Sequence, residues 1–394
     1  MFNWAKNAVG ITEPVYGPSA IQSVAEQTHE TPYSEVTKDD LAWEVMDTTN
    51  VETKVFYMTS ESGHIGLLQI IYSNVLGVRT TAQFNTKILY PPKQGKPHLW
   101  CSDNISNFDF SPDKQDFKST SCTMTLSPDG QTYHIKSTLN PHSAVDITFT
   151  RTSPGFKAGR TGTTTFGTSP DKPWGRMRHL TWPRCRVQGS IMTQTGPVDF
   201  AGRGLFNHAL QGMKPHFAAA KWNFCNFQSE TYSAFLMEFT TPESYGKTSV
   251  CVGCVAVEGR ILFGGATPGT SVRHTEVRGD PENEWPEPGA VEFRWEGKGT
   301  EGGEGFEARL AGSLGKRVDR IDVMGELPKF VKQIVVGASG TKPYIYQVSL
   351  ERPLRLSTGC RTLTFVSQYT PKMTLEINGE KEEGRLFMES TFIS

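Results

Sequence analysis

Apolar and polar residues alternate with a period of two along most of this chain. The pattern runs through Val51 to Tyr57, Ile65 to Ser73, Thr80 to Tyr90 and Thr120 to Leu126. Each of these stretches predicts a β-strand. Pro128-Asp129-Gly130 predicts a hairpin turn into Gln131 to Thr138, and Val145, Ile147 and Phe149 alternate with polar neighbours beyond it. The second half repeats the style over Gly189 to Thr195, Val198 to Phe206, Ser233 to Phe239 and Val250 to Ala256. Arg260 to Phe263, Val291 to Trp295 and Phe306 to Leu310 continue it. No long 3.6-residue period interrupts the series. Short antiparallel strands in such numbers close their edges as a meander or barrel, so the expected class is all-β.

The two ends of the chain depart from this pattern. At 100° per residue, Phe2, Trp4, Ala5, Ala8, Val9 and Ile11 cover one half of a helical wheel. Asn3, Lys6, Asn7 and Gly10 cover the other, and Glu13-Pro14 stops the helix. Residues 1–13 therefore read as a short amphipathic helix of low charge. Two placements stay open: weak binding at a membrane interface through Phe2, Trp4, Val9 and Ile11, or a strap in a groove of its own domain. Met1 before the bulky Phe2 is expected to be kept and N-acetylated. Residues 14–40 are polar and Pro-punctuated and predict a tether. Glu296 to Gly305 predicts a loop. After Asp322, Pro328 with Leu327, Phe330, Val331, Ile334 and Val335 on one face predicts a second short helix.

Composition narrows the field. A chain of 394 residues with a formal charge of -1 has no bulk basic field for nucleic acid. No run of apolar residues is long enough to span a membrane. The first thirty residues lack an apolar signal core and cleavage site, so the 7 cysteines are expected as free thiols in a reducing compartment. Cys251 and Cys254 form a lone C-x-x-C whose members face opposite sides of a strand, so no metal is expected. Nucleophile elbows, phosphate loops and dinucleotide fingerprints are missing, and no cofactor is expected.

Several longer stretches carry a resemblance. They are WGRMRHLTWPR (Trp174 to Arg184), ALQGMKPHFAAAKWNF (Ala209 to Phe224), SAFLMEFTTPESY (Ser233 to Tyr245), RIDVMGELPKFVK (Arg320 to Lys332) and GTKPYIYQ (Gly340 to Gln347). With the N-terminal helix and EPVYG (Glu13 to Gly17), they resemble the fungal survival factor 1 family over nearly the whole chain. The resemblance implies two tandem lipocalin-like antiparallel β-barrel domains, here residues 41–218 and 219–394. It further implies a ceramide carrier acting from the endoplasmic reticulum to the Golgi and supporting oxidative-stress survival. The implied location is the cytoplasm, peripherally on endoplasmic reticulum and cis-Golgi membranes, with the nucleus left open. A monomer is expected. One segment departs from the family: YIYQ should run almost directly into YTPKMTLEINGE (Tyr369 to Glu380), yet residues 348–368 intervene. We treat this insert as a retained intron by hypothesis; a main transcript that keeps its codons after splicing would end the idea.

Candidate ligand contacts follow from residue type. Strand alternation puts Trp174, Arg176 and Arg178 on one face and His179 on the other. With Trp182, these arginines and indoles suit an amide or hydroxyl head group, or else a structural ladder between domains. His208, His216 and Trp222 are placed around the inter-domain passage, and the two histidines lack a third ligand for a metal. Tyr344 and Tyr346 share a face that looks into the second barrel as ligand contacts or as core. The rival readings are a lipocalin-like hydratase, isomerase or pericyclase acting on a hydrophobic substrate, and a ligand-free stress-response scaffold.

Overall fold

The computed structural model describes residues 14–75, 77–91, 94–279, 285–300, 305–315 and 372–392, with the short strands Asp319–Asp322, Tyr344–Val348, Glu351–Arg352 and Val366–Ser367 between them. The expected helices over 1–13 and Leu327 to Val335, and most of 348–368, lie outside the described residues. No described helix is long and apolar enough to cross a membrane.

Two curled antiparallel sheets carry the fold. The main path of the first runs Leu99–Ile105, Arg79–Leu89, Ile65–Val75, Asn50–Ser60, Gly202–Gln211, Gly175–Thr193, Ala144–Arg151, Thr132–Ser137, Cys122–Leu126. The second runs Arg260–Ala266, Ser249–Val257, Ser233–Thr240, Lys221–Gln228, Glu380–Phe392, Lys372–Ile377, Gly305–Ser313, Pro286–Lys298, Thr270–Gly279. In each sheet the first long strand lies beside the last one, Asn50–Ser60 against Gly202–Gln211 and Lys221–Gln228 against Glu380–Phe392. The expected all-β class with tandem barrel domains holds.

Three apolar clusters follow from strand alternation. Inside the first barrel, Phe56, Tyr133, Trp182 and Phe206 pack with ring centroids 4.9–5.4 Å apart. Inside the second, Phe227, Leu236, Phe293, Trp295 and Met388 are buried together. Between the barrels, Val55, Tyr57, Leu205, Phe224, Phe235 and Phe387 form a third cluster. Tyr57 stacks on Phe224 at 4.7 Å and meets Phe387 at 5.2 Å. A pair of this kind adds about 0.5–1.5 kcal/mol beyond its buried area. Both faces of the Asn50–Ser60 strand are therefore buried, one in its own barrel and one against the other.

The longest strand, Gly175–Thr193, contains Pro183, and its pairing with Gly202–Gln211 shifts register between Trp182 and Cys185. A proline cannot donate to the ladder and is tolerated at such a bulge. The bulge sends Arg184 across to the second barrel, where Nη1 donates to Ser233 Oγ at 3.0 Å and Nη2 to the Glu230 carbonyl. Gln228 Nε2 donates back to the Pro183 carbonyl at 3.1 Å.

Residues 14–40 are not a free tether. Ile21–Gln22 pairs with Thr163–Phe166, Tyr33–Glu35 pairs with Phe156–Ala158, and Ala20, Ile21 and Val24 are buried in the inter-barrel cluster. The prolines and polar residues suggested a linker, but the few apolar ones lie where both barrels can cover them. Tyr16 and Gly17 amides both donate to the Ser244 carbonyl, which ties the start of the described chain to the second barrel.

Candidate functional site

The alternation that buries Phe56 inside the first barrel also puts Glu52 and Lys54 there, and neither is exposed to solvent. His208 shares the inward face of Phe206 on the neighbouring strand and is 1% exposed. Its Nε2 lies 2.8 Å from Glu52 Oε1. The Glu52 carboxylate also accepts from the Glu44 amide at 2.9 Å and from the Val45 amide at 3.2 Å. Burial by itself would raise the pKa of Glu52, yet these hydrogen bonds to its charged form hold it below the usual carboxylate range. Burial pushes His208 down to about 4, against the upward pull of Glu52. An ionised Glu52 facing a neutral His208 makes Nε2–H the donor. Nδ1 then carries a lone pair.

Lys54 Nζ donates to the Leu41 carbonyl at 2.6 Å and to the Tyr133 hydroxyl at 3.2 Å, and lies 4.8 Å from the centre of the Trp43 ring. Burial lowers its pKa to about 7, with Glu52 opposing the shift and Arg178 adding to it. Arg176 and Arg178 both pair with Glu44, Arg178 Nη1 at 2.9 Å. Asn50 and Asn74 each donate to the Met46 carbonyl at 3.0 Å. The segment Leu41 to Met46 is thus fastened across one end of the barrel by side chains from inside it. Within it Val45 sits at φ 51°, the left-handed region that a β-branched residue rarely occupies.

Buried side-chain atoms without a hydrogen-bond partner concentrate in this barrel. They include Trp43 Nε1, Thr86 Oγ1, Arg176 Nε, Arg178 Nη2, Trp182 Nε1 and His208 Nδ1. Among the described residues, none of the atoms in this condition belongs to the second barrel. There Trp295 Nε1 donates to the Phe235 carbonyl at 3.0 Å. Gly253 makes this possible, since a Cβ on it would meet that indole nitrogen at 2.7 Å. The second barrel's polar group is also self-contained: Asn223 Oδ1 takes His274 Nε2 at 2.9 Å and Ser390 Oγ at 3.0 Å, while Asn223 Nδ2 donates to Glu238 at 2.8 Å.

The residues singled out from sequence divide between these regions. Arg176, Arg178, Trp182 and His208 belong to the first barrel. For His208 this corrects the expected position at the inter-domain passage: it shares the face of Phe206, which points away from the second barrel. Trp174 is half exposed and donates through Nε1 to the Tyr245 hydroxyl at 3.0 Å while its ring meets Tyr16 at 4.8 Å. His179 faces the other way from Arg178 and meets Trp222 edge-on at 5.8 Å, between the barrels. His216 lies in the short helix Pro215–Ala218 that links the two sheets. Tyr344 and Tyr346 lie on a strand paired with Glu380–Phe392. Phe2, Trp4, Val9 and Ile11, with Met1, lie outside the described residues. Sequence reasoning missed Trp43, Glu44, Glu52 and Lys54. The signal available was two charges sharing the i, i+2, i+4 face with Phe56.

Cys251 and Cys254 point into different clusters, one inside the second barrel and one between the barrels, and burial pushes both thiols up. Among the described residues no group of three or more histidines, cysteines or carboxylates is placed to hold a metal ion.

The chain belongs to the Svf1 family, whose model matches residues 2–394. It is similar to the ceramide-binding protein svf-1 of Neurospora crassa, 52% identical with 100% of each chain covered. The ceramide-binding protein svf1 of Aspergillus fumigatus is 48% identical, again over 100% of each chain, and that of Schizosaccharomyces pombe 38% identical over 99% of each. Among solved structures, a putative AttH from Nitrosomonas europaea superposes with a TM-score of 0.56 at 12% identity, covering 90% of this chain and 95% of its own. CghA in complex with Sch210972 gives 0.55 at 10% identity, covering 95% of this chain and 98% of its own. At such identities the likeness speaks for the lipocalin-like fold alone.

Proposed function

We propose that this chain binds ceramide and carries it through water from the endoplasmic reticulum to the Golgi, supporting sphingolipid synthesis and oxidative-stress survival. It acts as a binding protein, not as an enzyme. The observation that carries this reading is the end-to-end identity with relatives named for binding ceramide. The physical need is plain. At about 0.8 kcal/mol per buried CH₂, a sixteen-carbon chain is worth roughly 12 kcal/mol in an apolar site, so ceramide does not cross water unaided. A lipocalin-like barrel is of the size that can enclose one small apolar ligand.

In this reading the N-terminal helix provides weak, releasable membrane contact through Phe2, Trp4, Val9 and Ile11, with Met1 acetylated beside them. The protein then resides in the cytoplasm, peripherally on endoplasmic reticulum and cis-Golgi membranes, and works as a monomer. Lipid mass spectrometry on protein from a eukaryotic host tests both parts. Ceramide should accompany the wild type and be depleted in a Phe2→Asp, Val9→Asp double variant. Lipid-free wild-type protein would remove the carrier reading, and equal loading of the two would remove the role of the helix.

A further inference from the structure

We propose that the first barrel, and not the second, holds the polar head of the cargo, and that this head is an uncharged group rich in hydroxyl and amide functions. The inference rests on the carrier reading above and deepens it by naming the site.

Buried polar atoms are almost always paired, because each unpaired one costs the full loss of its hydration. His208, Trp43 and Trp182 are at most 1% exposed, and each has an unpartnered ring nitrogen. They belong to one connected cluster of side chains. The Trp43 ring is 5.9 Å from His208, Lys54 bridges Trp43 and Tyr133, and Tyr133 is 5.2 Å from Trp182. The unpartnered set is complementary in kind: His208 Nδ1 accepts, while Trp43 Nε1, Trp182 Nε1 and Arg178 Nη2 donate. A sphingoid amide offers the converse, with hydroxyl and amide hydrogens for the histidine and hydroxyl and carbonyl oxygens for the donors.

The carboxylates of the cluster are already matched. Glu52 is held by His208 and two amides, and Glu44 by two arginines. A phosphorylated head would bring two further negative charges into a region where Lys54, already donating to the Leu41 carbonyl and the Tyr133 hydroxyl, is the one buried cation outside an ion pair. An uncharged head adds hydrogen bonds without that cost.

Trp→Phe substitutions separate the two barrels, because each deletes an N–H with the same loss of volume. Full-length Trp43→Phe, Trp182→Phe and Trp295→Phe proteins are incubated with phosphatidylcholine vesicles containing N-palmitoyl sphingosine. Retained lipid and the denaturant midpoint are then read on each. The Trp43 and Trp182 variants should retain about 5- to 10-fold less ceramide and lose less midpoint than Trp295→Phe, since all three lose the same packed volume but only Trp295 also loses a hydrogen bond. Trp295→Phe should show the lowest midpoint of the three and undiminished ceramide. The wild type should prefer N-palmitoyl sphingosine to its 1-phosphate. Equal retention by all three variants would overturn the site and leave carriage standing, and loss in Trp295→Phe alone would move the cargo to the second barrel. Preference for the 1-phosphate would overturn the uncharged head. A wild type that takes up neither lipid would fail the carrier reading itself, and this site with it.

Discussion

The two barrels share one strand plan, first strand beside last, yet treat the polar groups inside them in opposite ways. Where the first and last strands of the first barrel meet, Glu52, Lys54 and His208 are charged or titratable, and several buried atoms around them lack partners. The corresponding region of the second holds Asn223, His274, Glu238 and Ser390 in a closed set of hydrogen bonds. A closed set rigidifies a core; an open one raises the free energy of the protein until something completes it. This contrast is what the proposed placement of the cargo head in the first interior rests on.

The largest test of this contrast is to delete the centre of each set. Glu52→Leu takes the neighbouring negative charge from buried Lys54, deprives His208 of its partner and strands the amides of Glu44 and Val45. Removing one partner of a buried pair costs about 3–5 kcal/mol. Asn223→Leu breaks only neutral or singly charged hydrogen bonds and should cost about 1–3 kcal/mol. Urea midpoints on the two variants measure the difference. Equal losses would mean that the charge in the first barrel adds nothing to how it is held.

The contrast should next appear as a difference in pH dependence. Lys54 is pushed to about 7 from 10.5, so between those values the unfolded chain binds more protons than the folded one. Stability therefore rises with pH across that window, and Lys54→Met should remove the rise. His208 and His274 are both pushed to about 4 from 6.5. Their contribution is complete above 6.5 and is lost as pH falls from there toward 4. Since one histidine lies in each barrel, the acid limb should be common to both. The rise between about 7 and the ordinary thiol value of 9.0 belongs to the first alone, and its persistence in Lys54→Met would deny the buried amine this role.

Much of the frame was legible from alternation. The hairpin at Pro128-Asp129-Gly130, the strands from Val51 to Tyr90 and those from Ser233 to Ala256 lie where the period of two puts them. What alternation cannot tell is which face looks where when both are buried. In Asn50–Ser60 the polar positions 52 and 54 read as solvent-facing, but the outward face carries Val55 and Tyr57 against the second barrel. That ambiguity hid Glu52 and Lys54 and misplaced His208. Alternation read a strand through Arg176, Arg178 and His179, but Pro183 hid its continuity with Gly189 to Thr195, because a proline inside a strand pattern argues for its end and here marks a bulge. The docked segment from Ile21 to Glu35 was missed for the same reason as the cluster. Its few apolar residues are covered only once both barrels exist.

The smallest effect concerns the segment fastened over the first barrel. Among the described residues both barrels hold non-glycine residues at positive φ, Asn107, Lys114 and Val45 in the first and Lys247 and Asn378 in the second, but of these Val45 alone is β-branched, the type that tolerates this conformation least. Val45→Gly relieves about 1–2 kcal/mol of strain and loses a similar amount in chain entropy and partial packing, so its midpoint should stay within about 1 kcal/mol of wild type. The informative quantity is its coupling to Glu52. If the carboxylate imposes the strain by drawing the Glu44 and Val45 amides inward, Val45→Gly and Glu52→Gln should be non-additive by about 0.5 kcal/mol or more. Additive effects would mean that Val45 takes its conformation from the rest of its segment. The closure of the barrel end would then be independent of the charged cluster beneath it, and the first barrel would differ from the second in its interior alone.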